Sequence, residues 1–230
     1  MNGRRILVVD DEPEIQRFLK LALGAAGYEP IVAETGADAL KAVVNRAPDA
    51  VVLDLGLPDR DGKDVLRDIR GFSRVPIVVL SARDRETEKI AALDLGADDY
   101  VEKPFGIGEL MARLRTALRH AAPGIPQQAR FVVDGLVVDT ERRLVSRDGA
   151  AVRLTPKEYD LLIALVRHAG RVITHRQILN EVWGPAHTDD TQYLRVFIGQ
   201  LRAKIERDPS APTIILTEPG VGYRVAERGA

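Results

Sequence analysis

Over residues 1–120, hydrophobic and polar residues follow two different periodicities, which alternate along the chain. Apolar runs too short for helices occur at Ile6–Val9, Pro30–Ala33, Ala50–Leu53, Ile77–Leu80 and Tyr100–Val101. Between them, apolar residues recur with the spacing of about 3.6 that marks one face of a helix. Apolar strands that alternate with amphipathic helices are typical of a parallel sheet covered on both faces. The pattern predicts an α/β domain with a doubly wound, five-stranded parallel sheet over residues 1–121.

The pattern changes after this region. Residues 122–130 contain two prolines and a glycine without periodicity, and they predict a linker. Short alternating strands are then predicted at Phe131–Val133, Leu136–Asp139, Leu144–Arg147 and Ala151–Leu154. The first and last of the gaps between these strands contain the dipeptides Asp134-Gly135 and Asp148-Gly149, which strongly favour hairpin turns.

Helices follow these strands. Thr155, Pro156 and Glu158 form a capping box with proline at the first helical position, and they predict a helix that runs to about His168. Further helices are predicted at Arg176–Val182 and Thr191–Glu206, before a terminal hairpin of Ile214–Thr217 and Tyr223–Val225. Three helices and a terminal hairpin predict an α+β winged-helix domain over residues 131–228.

Charge and composition narrow the classes of function. The net charge is -1, but residues 1–122 carry 18 basic against 21 acidic residues, while the remainder carries 15 against 13. The mild positive balance of the second part hints at an anionic partner. The chain has no cysteine, which excludes disulfides and thiolate sites. Because no apolar stretch is long enough for a signal peptide or a membrane span, we expect a cytoplasmic protein without a membrane partner.

Three acids stand at the ends of predicted strands: Asp10 and Asp11 after the first, and Asp54 at the end of the third. Neighbouring parallel strands end at one edge of the sheet, where ligands bind. Converging carboxylates repel one another unless a cation neutralises them, and oxygen ligands favour Mg²⁺. One carboxylate would then serve as nucleophile for phosphoryl transfer, with Ser81 and Lys103 contacting the phosphoryl oxygens. Each of these residues alone is as readily a helix cap or a solvated side chain.

The segments that carry these residues resemble the receiver domain of two-component response regulators, a flavodoxin-like fold. They are residues 6–12, 52–58, 80–82 and 96–105. The resemblance implies that Asp54 accepts phosphate from a sensor histidine kinase, assisted by Lys103 and Ser81. It also implies a Mg²⁺ site formed by Asp10, Asp11, Asp54 and the backbone carbonyl of Gly56. Ser81 and Tyr100 would be the switch pair, and the Lys103–Pro104 peptide is often cis in this family.

Within that family, the chain resembles the OmpR/PhoB subfamily, whose receivers form symmetric homodimers. Matching positions imply a dimer interface of Lys89, Asp98, Asp99, Glu109 and Arg113, with Asp99–Arg113 and Lys89–Glu109 pairs across it. Residues 130–226 resemble the winged-helix domain of the same subfamily, which binds double-stranded promoter DNA and works with RNA polymerase. The implied DNA contacts are Gln192, Arg195, Gln200, Arg202, Lys204, Thr217 and Gly222.

Residues 53–59, 89–94, 103–110 and 217–223 further resemble the subfamily members that regulate a potassium-transport operon. The expected function is therefore a phosphorylation-switched transcription factor, which catalyses only its own phosphorylation and slow dephosphorylation. Two alternatives stay open at this point. One is a hydrolase that uses Asp54 as nucleophile, and the other is a DNA-binding protein whose receiver no longer needs phosphate.

Overall fold

The computed structural model describes residues 3–82, 86–121 and 130–227. The chain divides into two compact units, residues 1–122 and 123–230, which we call the receiver and the output domain. The predicted linker, residues 122–130, lies outside the described residues except for Arg130, which begins a strand. In the described part of the chain, no helix has both the length and the apolar character required to cross a bilayer.

The receiver is a doubly wound parallel sheet, as the sequence pattern predicts. Its strands lie in the order β2-β1-β3-β4-β5, all parallel. The strands are β1 (Arg5–Val9), β2 (Glu29–Ala33), β3 (Ala50–Asp54), β4 (Ile77–Ala82) and β5 (Asp99–Lys103). The helices between and after them are α1 (Pro13–Ala25), α2 (Gly36–Arg46), α3 (Gly62–Phe72), α4 (Glu86–Asp94) and α5 (Ile107–Ala121).

Burial explains why the strands read as continuous apolar runs. All five residues of β3 are buried, because helices cover both faces of this central strand. The helices bury one stripe each, for example Val65, Leu66 and Ile69 in α3. Gly62 begins α3 in a confined space, since a Cβ atom there would lie 2.6 Å from the Cα atom of Leu55. That glycine lets α3 start directly against the end of β3.

The output domain begins with an antiparallel sheet in the order β6-β7-β8-β9. Its strands are β6 (Arg130–Val133), β7 (Leu136–Asp139), β8 (Leu144–Arg147) and β9 (Ala150–Ala151). The two Asp-Gly turns are confirmed, with φ of 41° and 78° at Asp134 and Gly135, and of 48° and 84° at Asp148 and Gly149. Two successive positive φ values are the signature of the hairpin turn that Asp-Gly favours.

The rest of the output domain contains the three predicted helices and the terminal hairpin. The elements are α6 (Pro156–Arg167), β10 (Val172–Thr174), α7 (His175–Trp183), a 3-10 turn (Pro185–His187), α8 (Thr191–Ile205), β11 (Ile215–Glu218) and β12 (Gly222–Val225). The predicted capping box is present: Thr155 accepts the amide of Glu158, whose carboxylate accepts the amide of Thr155. This is a winged-helix arrangement, with β11 and β12 as the wing.

Two details differ from the sequence prediction. The fourth strand ends at Ala151 rather than Leu154, because the chain leaves the sheet there to reach the cap at Thr155. The hairpin also gains a third strand, β10, which pairs antiparallel with β12. Three residues between two helices carry too little pattern to predict a strand, and only the partner strand defines it.

Candidate functional site

Charged side chains from separate strand ends meet at the carboxyl edge of the receiver sheet. Asp10 follows β1, and Asp54 and Lys103 are the last residues of β3 and β5. The ammonium group of Lys103 lies 3.1 Å from Asp10 Oδ2 and 2.8 Å from Asp54 Oδ2. We call this cluster, with Glu12 described next, the acidic pocket.

Glu12 belongs to the pocket, although it was not among the residues predicted for it. Its Oε1 lies 3.3 Å from Lys103 Nζ, and oxygens of Asp10, Glu12 and Asp54 lie within 4.8 Å of one another. Asp11 is exposed and is not a member of this group. Glu12 lies two residues after Asp10 in the sequence, and in the structure its amide donates to Asp10 Oδ1 at 2.9 Å.

The electrostatics of the pocket reflect burial and mutual contact. Burial raises the pKa of Asp10, and hydrogen bonds from the Glu12 amide and from Lys103 only partly offset this. Burial by itself would lower the pKa of Lys103, but its hydrogen bonds and ion pairs with Asp54 and Asp10 raise it. Lys103 is therefore a firmly charged cation that neutralises part of a carboxylate cluster.

The remaining predicted receiver residues lie around Asp54. The amide of Gly56 donates to Asp54 Oδ1 at 3.3 Å. Ser81 is buried near the end of β4, one residue beyond Leu80, which pairs with Asp54 in the sheet. The Lys103–Pro104 peptide is cis. The structure thus gathers the predicted phosphoacceptor, lysine and glycine at one edge and places the serine on the neighbouring strand.

Tyr100, the other predicted switch residue, is buried with its ring near two cations. Lys89 Nζ lies 5.5 Å and Arg113 Cζ lies 5.7 Å from the ring centre. Contacts of this kind stabilise a ring in one position. The ring is therefore held between α4 and α5, the helices that carry most of the residues predicted for dimerisation.

Those predicted dimer residues make contacts within the chain. Arg113 binds Asp99 at 3.0 Å and Glu109 at 2.8 Å. Lys89 is buried and binds Glu102 at 2.5 Å, whereas the prediction pairs it with Glu109 of a second copy. Asp98 accepts from Arg70 at 2.8 Å. All five residues thus form ion pairs within the chain, and their role between copies stays a prediction.

In the output domain, α8 buries an apolar stripe and exposes a polar face. Leu194, Ile198, Leu201 and Ile205 are buried. Among the predicted DNA contacts, Gln192, Arg195 and Gln200 are exposed. Tyr193 and Val196, which were not predicted as contacts, are 48% and 56% exposed on the same helix. The outward face therefore offers amides, a guanidinium and two apolar groups.

Two other predicted DNA contacts on α8 are bound within the domain. Arg202 donates to the carbonyl of Ile215 at 2.6 Å and to Thr217 Oγ1 at 2.8 Å. Burial lowers the pKa of Arg202, without removing its charge at neutral pH. Lys204 binds Glu158 Oε2 at 2.6 Å. These two side chains tie α8 to β11 and to the start of α6.

The two wing residues that were predicted to contact DNA also differ in their exposure. Thr217 is exposed on β11, whereas Gly222 is buried in β12 opposite Thr174 and Glu218. A Cβ atom at Gly222 would lie 2.9 Å from the Cα atom of Thr174, so this glycine permits close packing of the strands. The burial of Gly222 argues against a DNA contact by this residue, and that contact stays a prediction.

A buried carboxylate fixes the wing to the end of α8. Glu206 accepts the amides of Thr213 at 3.0 Å, Ile214 at 3.0 Å and Ile215 at 2.7 Å. Three amides on one carboxylate form strong, charge-assisted hydrogen bonds. The angle between helix and wing is therefore set by Glu206 together with Arg202.

Comparisons with known proteins agree with this geometry. The family model described as response regulator receiver domain matches residues 6–115, and the model described as transcriptional regulatory protein, C terminal, matches residues 149–225. The chain is 50% identical over 220 residues to the transcriptional regulatory protein KdpE of Mycobacterium tuberculosis and to the KDP operon transcriptional regulatory protein KdpE of Escherichia coli K12. Each match covers 95% of this chain and 97% of the relative.

More distant relatives also match over nearly the whole chain. The DNA-binding response regulator MtrA of Mycolicibacterium smegmatis is 42% identical, with 96% of each chain covered. The crystal structure of DrrB, an OmpR/PhoB homolog from Thermotoga maritima, matches with a TM-score of 0.51 at 29% identity. That match covers 97% of this chain and 99% of the other.

Proposed function

The chain belongs to the two-component response regulators that join a receiver to an OmpR/PhoB-type DNA-binding domain, and on that premise we propose that Asp54 is its phosphoacceptor. The observation that carries the proposal is the contact of Asp54 with Lys103 at 2.8 Å beside two further carboxylates. Phosphorylation of Asp54 would then control how the output domain binds promoter DNA.

The proposed chemistry uses Asp54 as nucleophile. Its carboxylate oxygen attacks the phosphorus of a kinase phosphohistidine, the new O–P bond forms, and the P–N bond breaks with its electron pair left on the imidazole nitrogen. Lys103 stays charged throughout and stabilises the phosphoryl oxygens. Ser81 supplies a hydroxyl donor from the end of β4, and its movement toward the phosphate would allow Tyr100 to shift. The receiver then acts as a switch that modifies itself.

The residues of the acidic pocket fit Mg²⁺. Asp10, Glu12 and Asp54 offer an all-oxygen donor set with the carboxylates already gathered, which suits a hard cation. Asp10, Asp54 and the carbonyl of Gly56 would hold the ion, with Glu12 or Asp11 reaching it directly or through water. When bound, the ion supplies positive charge that offsets the phosphoryl oxygens.

For DNA, we assign base contacts to the outward face of α8. Gln192, Arg195 and Gln200 have side chains that pair with adenine and guanine edges in the major groove. Thr217 and the wing would contact the phosphate backbone. Arg202 and Lys204 contribute positive potential while they hold the helix in place.

The partners follow from the same proposal. A sensor histidine kinase supplies the phosphoryl group, a homodimer through the charged α4, β5 and α5 face places two output domains on a repeated site, and RNA polymerase is the downstream partner. Since two relatives at 50% identity are named for the KDP operon or its regulator, we further propose potassium-transport genes as the target.

The experiment that tests the proposal compares wild type with Asp54→Asn. Incubation with acetyl phosphate and Mg²⁺ should add one phosphate to the wild type and none to the variant, as measured by intact-protein mass. Equal labelling of both proteins would refute the assignment of Asp54. Sustained release of phosphate in place of a stable phosphoprotein would indicate a hydrolase instead.

A further inference from the structure

The loop between β3 and α3, residues 55–61, follows Asp54 directly and contains Gly56. Little packing holds Gly56: a Cβ atom there would meet, among described atoms beyond its chain neighbours, only Asp54 Oδ2 within 4 Å, at 3.9 Å. The position of its carbonyl therefore depends on how the loop is attached. At the base of the loop, the amide of Gly62 donates to the carbonyl of Leu55 at 3.0 Å.

The second attachment is at Asp59. Its carboxylate reaches across to the start of α2, where it accepts the amide of Gly36 at 2.8 Å and that of Ala37 at 3.0 Å. The first amides of a helix have no partners inside the helix, and a negative charge is favourable there. Asp59 thus fastens the loop after β3 to a helix that comes earlier in the chain.

Two side chains, those of Asp59 and Thr35, cap the first turn of α2. Asp59 takes the amides of Gly36 and Ala37, whereas Thr35 takes the amide of Asp38 at 3.1 Å. The hydrogen bond from Gly36 is the main cause that lowers the pKa of Asp59, so the carboxylate is charged at neutral pH. Thr35 caps the same helix without touching the loop.

We propose that Asp59 is a positioning residue for the phosphorylation site: it holds in place the loop that contains Gly56, so that the Gly56 carbonyl can bind Mg²⁺ beside Asp54. This inference rests on the proposed function. Without Asp59, the loop keeps the hydrogen bond at its base, the contact of the Gly56 amide with Asp54 and the ion pair of Arg60 with Asp68, but it loses its attachment to α2. The Gly56 carbonyl is then held less firmly. The ion then binds less well, because one of its ligands is no longer held in place.

The test titrates the full-length chain with Mg²⁺ alone and follows the heat of binding by calorimetry. Asp59→Ala should raise the Mg²⁺ dissociation constant about 10-fold, the size typical for residues that orient metal ligands. The Mg²⁺ concentration for half-maximal phosphorylation by acetyl phosphate should rise by the same factor. The rate at saturating Mg²⁺ should stay near that of the wild type, since Asp59 does not contact the acidic pocket in the structure.

Thr35→Ala is the matched control, because it removes the other cap of α2 and leaves the loop attached. Both variants should lower the melting temperature of the receiver, but only Asp59→Ala should weaken Mg²⁺ binding. Asp59→Asn keeps an oxygen that accepts from one of the two amides, so it should restore part of the affinity. It also provides the measurement if Asp59→Ala fails to fold.

Unchanged Mg²⁺ affinity in both Asp59 variants would overturn the inference. So would an equal loss of affinity in Thr35→Ala, since Asp59 would then be only a helix cap. A wild type that binds Mg²⁺ but is not phosphorylated would instead refute the proposed function, and the calorimetry would still decide the role of Asp59 in Mg²⁺ binding.

Discussion

In the receiver, side chains from the end of β3 and from the segment after β1 converge on the single ammonium group of Lys103, whereas the polar side chains of α8 point in different directions and meet different surroundings. Asp10, Glu12 and Asp54 lie within 3.3 Å of Lys103. On α8, Arg195 is exposed, while Arg202 is bound to β11.

The difference lies in what determines the position of the polar group at the end of each side chain. The position of a short carboxylate side chain at the end of a parallel strand is fixed by the strand itself, so the topology of the sheet brings such residues together. A long side chain on a helix has several rotatable bonds, and neighbouring elements decide whether it faces solvent or a buried carbonyl. Convergence is therefore a property of backbone position in the receiver, and of available partners in the output domain.

The largest expected effect tests whether the acidic pocket acts as one unit. Lys103→Ala removes the shared cation, so phosphorylation by acetyl phosphate should slow on the order of 100-fold, as is typical when one electrostatic stabiliser is lost. Mass spectrometry over time measures this rate. Lys41→Ala is the control, since Lys41 pairs with Asp38 and is exposed. An unchanged rate in Lys103→Ala would mean that the pocket does not depend on its cation.

A second prediction separates the outward and inward arginines of α8. Arg195→Ala and Arg202→Ala should each weaken operator binding on the order of 10- to 100-fold. Only Arg202→Ala should also destabilise the output domain, by about 1 to 2 kcal/mol, because the carbonyl of Ile215 loses a donor. The single tryptophan, Trp183, lies in this domain and reports its unfolding by fluorescence.

One result would contradict this distinction between Arg195 and Arg202. Equal melting temperatures for wild type and Arg202→Ala, together with lost DNA binding, would make Arg202 a direct DNA contact like Arg195. In that case, its hydrogen bonds to β11 would contribute little to the domain, and the division of α8 into two faces would be wrong.

The smallest expected effect concerns Glu158 and Lys204. Burial would raise the pKa of Glu158, but hydrogen bonds from Lys204 and from the Thr155 amide lower it below its ordinary value. A carboxylate with a lowered pKa adds stability above its unfolded pKa of about 4.3, and this stability is lost as pH falls through the folded value. Glu158→Gln keeps an oxygen for the cap but removes the charge that pairs with Lys204, and it should therefore cost about 1 kcal/mol at neutral pH.

The measurement is unfolding of wild type and Glu158→Gln by denaturant at pH 7 and in the acid range. The difference in the free energy of unfolding between the two proteins should shrink as pH falls below the unfolded pKa. A difference that is constant with pH would show that the charge of Glu158 contributes nothing and that only its shape matters.

Much of the acidic pocket was predictable, because charged residues that come just after apolar runs lie at the ends of strands. Asp10, Asp54 and Lys103 were predicted in this way, and the structure places them in contact. Glu12 was missed because it lies three residues beyond the end of β1, where periodicity no longer shows the direction of the chain. The strand β10 was missed because three residues show no period of their own.

The sequence by itself determined the two-domain order, the five βα units, the Asp-Gly turns and the capping box. These features depend on local backbone preference and on periodic burial, both of which are written in neighbouring residues. Tertiary structure alone decided that Arg202 and Lys204 bind within the output domain, that Asp59 caps a helix 22 residues or more away, and that Glu206 fixes the wing. The reason is physical: each of these polar groups takes whichever partner the packed chain brings within about 3 Å, and that partner lies far along the sequence.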